Sequence, residues 1–185
     1  MSEPGDLARR VHEALLTRGA TLAVAESLTG GALAAALVSV PGVSATFRGG
    51  VVAYATDLKW SLLGVDQDLL ARCGPVHPQV AMAMAVGVRR RLGATYGLAT
   101  TGVAGPDPQD GHRPGEVHLG LAGPGGGPDV ADAALAVAGA GDAPAAGGQH
   151  RALRLTGDRV AVRAASVLAA LGWLADELEV GNDPR

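Results

Sequence analysis

The chain of 185 residues lacks several things that would assign it to a class of protein. It has a single cysteine, Cys73, which cannot form a disulfide within the chain and so favours a reducing compartment. Its first residues lack the basic and apolar regions of a signal peptide, and no apolar run has the length needed to cross a bilayer. We therefore expect a soluble, cytoplasmic protein without a membrane partner.

An excess of basic charge and the common cofactor motifs are also absent. The formal net charge is −3, which gives no electrostatic footprint for nucleic acid, so we expect no nucleic-acid partner. The sequence contains no P-loop and no dinucleotide fingerprint between a strand and a helix. It also contains no HExxH or CxxC spacing typical of metal sites. We accordingly expect neither a metal nor a cofactor.

Lysine is nearly missing. Of 15 basic residues only Lys59 is a lysine, and the chain has no isoleucine. Arginine stays protonated in proteins, whereas a desolvated lysine can lose its proton and act as a base. The bias indicates that position 59 requires a lysine. The alternative is that Lys59 is present by chance in a chain whose composition favours arginine.

What is present predicts an α/β fold in one domain spanning residues 1–185, because the length and the 48% hydrophobic content suit one buried core. We predict strands at 21–25, 51–55, 96–101, 116–122, 130–138 and 150–155, with a turn at 47–50 before the second strand. Helices are predicted at 5–17, 32–40, 66–72 and 79–92, with a short helix carrying Lys59 and a terminal helix beginning near Arg159. Residues 139–149, rich in Ala, Gly and Pro, are predicted to form a flexible loop.

The segment from Glu26 to Gly31 is predicted to form a turn between the first strand and the second helix. Its glycines would expose the first backbone N–H groups of that helix, and Ser27 would lie beside these donors as a nucleophile. Alternatively, Ser27 or Thr29 is only an N-cap and the glycines serve close packing. That simpler interpretation is favoured by this segment alone.

A second loop rich in glycine and hydroxyl groups, Thr101 to Asp107, follows the third predicted strand. Ligands bind at the carboxyl ends of strands in open α/β sheets, so the two loops indicate one shared cleft. Arg159 lies in the first turn of the terminal helix, where its charge opposes the helix dipole. An anionic ligand would explain this placement, and a plain surface arginine is the alternative.

Four separate motifs, in this order, resemble the CinA C-terminal domain family, whose stand-alone members are PncC-like nicotinamide-nucleotide amidohydrolases. The motifs are Ala25-Glu26-Ser27-Leu28-Thr29-Gly30-Gly31, Phe47-x-Gly49-Gly50-Val51-Val52-x-Tyr54 with Lys59, Thr101-Gly102-Val103-Ala104-Gly105-Pro106, and Gly157-Asp158-Arg159 with Arg163. The resemblance implies a three-layer α/β/α domain with a mixed, mostly parallel sheet. It further implies a homo-oligomer that converts nicotinamide mononucleotide to nicotinic acid mononucleotide and ammonia.

By the same resemblance, Ser27, Tyr54, Lys59, Thr101 and Arg159 stand at functional positions of the family, and on these positions we base a mechanistic hypothesis. Ser27 is the expected nucleophile, and Lys59 is the expected base, acting directly or through Tyr54. The expected substrate-binding residues are Glu26, Thr29, Gly30, Gly31, Thr101, Gly102, Gly105 and Arg159. Backbone N–H groups from Thr29 to Gly31 would hold the oxyanion, and Arg159 would bind the phosphate. Glu26 would orient Lys59 or Arg159, or else be a turn residue facing solvent.

The chain departs from the family pattern in four places. Leu28 replaces a cysteine, Thr56-Asp57 stands where an asparagine is usual, His77 replaces a serine, and residues 107–111 interrupt a Gly-Gly pair. Two alternatives to an enzyme therefore stay open: a catalytically silent nucleotide-binding or regulatory module, and a protein-interaction domain within a competence-related assembly.

Overall fold

The computed structural model describes residues 3–124 and 148–180 of the chain. Within these ranges the strands are β1 (Leu22–Glu26), β2 (Phe47–Val52), β3 (Tyr96–Gly102), β4 (Glu116–Ala122) and β5 (Gly148–Arg154). The helices are α1 (Pro4–Thr17), α2 (Ala32–Val38), α3 (Thr56–Leu63), α4 (Gln67–Cys73), α5 (Pro78–Arg91) and α6 (Arg159–Val180). No helix among the described residues combines the length and the apolar character needed to cross a membrane.

The strands form one sheet in the order β2-β1-β3-β4-β5. Strand β1 is parallel to β2 and β3, whereas β4 is antiparallel to both of its neighbours, β3 and β5. Among the described strands, therefore, only β4 runs opposite to the rest. The predicted α/β class and mixed, mostly parallel sheet are confirmed.

Helices cover both faces of the sheet because alternate strand residues point to opposite sides. Leu22 and Val24 of β1 join a core that also holds the apolar stripe of α1 and residues of α2 and α6. Ala23 and Ala25 join a second core with residues of α3 and α5. Small alanines on this second face let its helices lie near the strands that carry the candidate site.

Two glycines let α5 lie unusually close to the sheet. A Cβ atom added to Gly97 would lie 2.1 Å from the carbonyl oxygen of Ala85, and one on Gly120 would lie 2.1 Å from that of Ala81. Both distances are far below a van der Waals contact, so any side chain here would displace the helix. The glycines thus let α5 pack closely against β3 and β4.

Strand β2 differs from the prediction. It runs from Phe47 to Val52, whereas the sequence predicted a turn at 47–50 and a strand at 51–55. The glycines were misleading because Gly50 lies within the strand, where an added Cβ would be 2.8 Å from Cγ2 of Val24. Close approach of two strands, and not a turn, explains this glycine.

The structure describes only part of the region before β5. The predicted strand at 130–138 and residues 139–147 of the predicted loop lie outside the described residues. The last two residues of that predicted loop, Gly148 and Gln149, instead belong to β5, which pairs with β4 from Gly148 to Arg154.

Candidate active site

Ser27 lies directly after β1, at the carboxyl end of the central strands. Its N–H donates a 2.9 Å hydrogen bond to the carbonyl of Thr100, which continues the pairing of β1 with β3. The N–H of Gly30 donates back to the carbonyl of Ser27 at 3.1 Å and closes a tight turn. Gly30 and Gly31 have φ angles of 59° and 96°, which glycine adopts most readily. The turn therefore fixes the Ser27 backbone between two strand ends.

The carboxylate of Glu26 caps helix α2. It accepts hydrogen bonds from the N–H groups of Gly31 at 2.9 Å, Leu33 at 3.0 Å and Ala34 at 2.8 Å. A carboxylate suits this place because the first amides of a helix are unpaired and carry partial positive charge. The cap predicted for Ser27 or Thr29 is therefore supplied by Glu26 instead.

Glu26 is 1% exposed, so it is not a turn residue facing solvent. Its hydrogen bonds go to α2, and among the described residues it forms no ion pair with Lys59 or Arg159. The predicted orienting contact with either cation is thus absent from the described part of the chain.

Lys59 lies in the first turn of α3, and its side chain contacts that of Ser27. Its Nζ donates to Oγ of Ser27 at 3.0 Å and to the carbonyl of Ala53 at 2.8 Å. The residue is 1% exposed. Burial lowers the pKa of Lys59 from its ordinary 10.5 to about 8, and the negative charge of Asp57 opposes part of this shift.

This environment prepares Lys59 to exchange a proton with Ser27. With a pKa near 8, about one tenth of the amines are neutral at pH 7, compared with far fewer for an ordinary lysine. In the neutral amine one N–H can still donate to Ala53, which leaves the lone pair free to accept the proton of the Ser27 hydroxyl. The pair can therefore act as nucleophile and general base without a third group between them.

Tyr54 and Arg159 meet at the outer part of the site. One guanidinium nitrogen of Arg159 donates to the Tyr54 hydroxyl at 2.8 Å, and another donates to the carbonyl of Gly105 at 3.0 Å. Tyr54 is 57% exposed. Because Lys59 contacts Ser27 directly, the direct route for the proton needs no relay through Tyr54.

The predicted residues divide into two sets, one of which lines an open cavity. The cavity is lined by Ser27, Tyr54, Lys59, Thr101, Gly102, Gly105 and Arg159. The remaining four predicted residues, Glu26, Thr29, Gly30 and Gly31, are not among its lining residues. They form the turn and the helix cap behind Ser27, and their binding of substrate stays a prediction.

The loop before α5 also contributes to the cavity. The hydroxyl of Thr101 is fully buried and donates to the carbonyl of Pro75 at 2.7 Å, which ties β3 to this loop. Asp107 and Gln109, from the segment where the chain departs from the family pattern, line the cavity as well.

Two residues of the site that belong to the family motifs were assigned no role from the sequence. Leu28 lines the cavity, and Arg163 donates to the carbonyls of Leu28 and Thr29. The spacing of Arg163, four residues after Arg159, could have indicated that both project from one face of the terminal helix. Within residues 3–124 and 148–180, no three His, Cys, Asp or Glu side chains are placed to hold a metal ion.

Comparison with known proteins identifies the family. A family model described as the CinA C-terminal domain matches residues 5–138. The chain belongs to this family. A CinA-like protein of Frankia casuarinae is 53% identical over 157 residues, which cover 85% of this chain and 31% of that protein. A putative competence-damage inducible protein of Levilactobacillus brevis is 41% identical over 177 residues, which cover 96% of this chain and 38% of that protein.

The chain spans about a third of the length of these curated CinA relatives. Solved structures match over nearly their whole length. A CinA superfamily protein of Klebsiella pneumoniae superimposes with a TM-score of 0.82 at 30% identity, covering 97% of this chain and 99% of that one. The competence/damage inducible protein CihA of Agrobacterium tumefaciens gives a TM-score of 0.81 at 30% identity and 97% coverage of each chain. The resemblance stated from the motifs is therefore confirmed.

Proposed function

We propose that this CinA-family domain is an amidohydrolase that converts nicotinamide mononucleotide to nicotinic acid mononucleotide and ammonia. The observation that carries the proposal is the 3.0 Å contact between Nζ of Lys59 and Oγ of Ser27, in a cavity that Arg159 also lines. A buried amine of lowered pKa beside a hydroxyl is an arrangement that activates a serine nucleophile.

The first half of the reaction forms an acyl-enzyme. The neutral amine of Lys59 takes the proton of the Ser27 hydroxyl while Oγ bonds to the carboxamide carbon, whose oxygen becomes an oxyanion. The C–N bond then breaks, and the proton held by Lys59 passes to the leaving nitrogen, which departs as ammonia. Lys59 returns to its neutral form.

The second half releases the acid. Lys59 takes a proton from a water molecule, whose oxygen attacks the ester carbon attached to Oγ of Ser27. The ester C–O bond breaks, and the proton returns to the Ser27 oxygen. The product is the pyridine carboxylic acid, which ionises at neutral pH, so water is the only co-reactant.

Arg159 supports binding of the substrate phosphate. A guanidinium has five N–H donors, and the two hydrogen bonds to Tyr54 and Gly105 leave others for an anion. These two contacts also hold the Arg159 side chain in place before the substrate arrives. The backbone from Gly102 to Gly105 lines the same part of the cavity and offers little steric hindrance to a ribose phosphate.

Ammonia release is the decisive measurement. The protein is mixed with nicotinamide mononucleotide, and in parallel with nicotinamide, nicotinamide riboside and NAD, and ammonia is followed by a coupled assay. We expect the mononucleotide to be the preferred substrate, because only it presents a terminal phosphate to Arg159. Ser27→Ala should abolish turnover and retain mononucleotide binding, whereas Ser61→Ala, on the exposed surface of α3, should match wild type.

Lys59→Arg should lose turnover almost as fully as Ser27→Ala, because arginine does not release its proton at neutral pH. A fully active Lys59→Arg variant would contradict the role of Lys59 as base. Binding of the mononucleotide by the wild-type protein without any ammonia release would instead support the silent nucleotide-binding module.

A further inference from the structure

Arg163 lies one helical turn after Arg159 on α6 and donates hydrogen bonds to the backbone of the turn that contains Ser27. Its Nε donates to the carbonyl of Leu28 at 3.1 Å, and its Nη2 donates to the carbonyl of Thr29 at 2.7 Å. The guanidinium is half-buried and has no carboxylate partner among the described residues. A cation placed on two backbone carbonyls, without a counter-ion, calls for an explanation beyond surface solubility.

The backbone N–H groups of the turn are nearly all in use. Ser27 donates to Thr100, Gly30 donates to Ser27, Gly31 donates to Glu26, and Ala32 donates to Thr29. Within the described residues only the amides of Leu28 and Thr29 make no hydrogen bond in this turn. Leu28 is 4% exposed and lines the cavity, whereas Thr29 is fully buried and does not line it. Amides without partners are rare in proteins, and the one on a residue that lines the cavity beside the nucleophile, Leu28, points to a bound oxygen atom.

Each of these two amides is connected to Arg163 through peptide groups. The N–H of Thr29 belongs to the same peptide as the Leu28 carbonyl, and in a trans peptide the two groups point in opposite directions. Arg163 therefore holds the Leu28 carbonyl on its own side and turns the Thr29 N–H away from α6.

The second connection is longer by one peptide. Arg163 binds the Thr29 carbonyl, and that peptide's N–H, from Gly30, donates to the carbonyl of Ser27. The Ser27 carbonyl in turn shares a peptide with the N–H of Leu28. Hydrogen bonds in such chains polarise one another, so a cation at the start makes the last N–H a better donor.

We propose that the N–H group of Leu28, which lines the cavity beside Ser27, forms the oxyanion-binding site of the enzyme, and that Arg163 is the positioning residue that orients and polarises it. The inference rests on the proposed amide hydrolysis, because an oxyanion forms when Ser27 attacks a carbonyl. It moves the oxyanion contact away from Gly30 and Gly31, whose amides are already paired. Donors fixed before the reaction stabilise such a charge most effectively.

The test compares three variants of the full chain. Arg163→Met removes the cation and its hydrogen bonds, whereas Arg163→Lys keeps the charge but loses the bidentate geometry of the guanidinium. The matched control is Arg9→Met, which removes an exposed arginine of α1. The first measurement is the rate at which a fluorophosphonate modifies Ser27, followed by mass spectrometry. This probe needs a serine nucleophile and hydrogen-bond donors for its phosphoryl oxygen, but it does not need to be recognised as a nucleotide.

We expect Arg163→Met to slow the modification of Ser27 by about tenfold or more, with Arg163→Lys between Arg163→Met and wild type and Arg9→Met equal to wild type. The second measurement is turnover of nicotinamide mononucleotide and of its thioamide analogue. Sulfur accepts hydrogen bonds weakly, so the thioamide gains less from the Leu28 amide. Arg163→Met should lower kcat for the amide with little change in KM, and it should reduce the wild-type preference for amide over thioamide.

The outcomes separate the two proposals. If the fluorophosphonate modifies Ser27 and the rate depends on Arg163, but no nucleotide amide is hydrolysed, the positioning role stands and the proposed substrate is wrong. If Arg163→Met is modified and turns over at the wild-type rate, or loses both substrates equally through a raised KM, the positioning role is overturned. Failure of the wild-type protein to react at Ser27 would overturn both.

Discussion

Ser27 and Lys59 are 32 positions apart in the chain, and their side chains meet at 3.0 Å. The contact arises because β1 ends at Glu26 and the neighbouring parallel strand, β2, leads into α3, which begins three residues before Lys59. Parallel pairing brings the carboxyl ends of both strands to one edge of the sheet. The hydroxyl and the amine therefore come from separate segments, and neither segment is sufficient for the chemistry.

Removing the charge of Asp57 should shift the pH dependence of the reaction. Wild-type kcat/KM for the nucleotide amide should rise with pH through an ionisation near 8, as Lys59 loses its proton. Asp57 raises the pKa of Lys59, so Asp57→Asn should lower that pKa and move the rise to lower pH. Asp68→Asn, on the exposed surface of α4, is the control and should leave the profile in place. A shift to higher pH in Asp57→Asn would contradict Lys59 as the titrating base.

The buried amine should also couple stability to pH. The pKa of Lys59 is about 8 in the folded protein and 10.5 ordinarily, so the unfolded chain binds more protons between these values. Stability should therefore increase with pH in this window. Relative to Lys59→Met, which has no such group, wild type should gain about 2 kcal/mol of unfolding free energy from pH 7 to pH 9.5. Urea unfolding of both proteins at each pH measures this gain, and a constant difference would show that Lys59 titrates as it does in the unfolded chain.

The cap on α2 should contribute measurably to stability. Glu26→Gln replaces a carboxylate oxygen with an NH₂ group facing backbone donors, so at least one of the three amide hydrogen bonds is lost. We expect the free energy of unfolding to fall by about 2 kcal/mol, as for loss of hydrogen bonds to a buried charged group. Glu13→Gln, on the exposed face of α1, should change the free energy of unfolding by less than about 0.5 kcal/mol. Equal effects of the two substitutions in urea unfolding would contradict the cap.

Alanine substitutions at two helical glycines distinguish the effect of helix propensity on stability from the effect of helix packing. A Cβ on Gly87 of α5 would lie 1.9 Å from the carbonyl oxygen of Leu63, whereas one on Gly172 of α6 would lie 3.9 Å from Leu7. Gly172→Ala should therefore stabilise the protein by up to about 1 kcal/mol through helix propensity alone. Gly87→Ala should destabilise it by about 2 kcal/mol because α3 must move away from α5. Thermal unfolding measures both, and a rise in Tm for Gly87→Ala would show that the two helices are not tightly packed.

Local patterns were enough to predict most elements of the fold. The four-residue spacing of Leu7, Val11 and Leu15 indicated α1, and these residues lie in the core as expected. The prediction failed where one residue type serves two purposes. Gly50 looks like part of a turn, yet it lies in β2 because Val24 of the adjacent strand leaves no room for a side chain. No pattern within a single segment contains that information.

The sequence by itself determined which chemistry is available: one lysine in a chain otherwise supplied with arginine, a serine in a glycine-rich turn, and the family motifs around both. Only the tertiary structure decided which groups meet. It directed Glu26 to the amides of α2, joined Lys59 to Ser27, and placed Arg163 behind the Ser27 turn. The reason is physical: residue type fixes acidity and hydrogen-bonding capacity, whereas burial and the partners of each atom depend on segments that lie far apart in the chain.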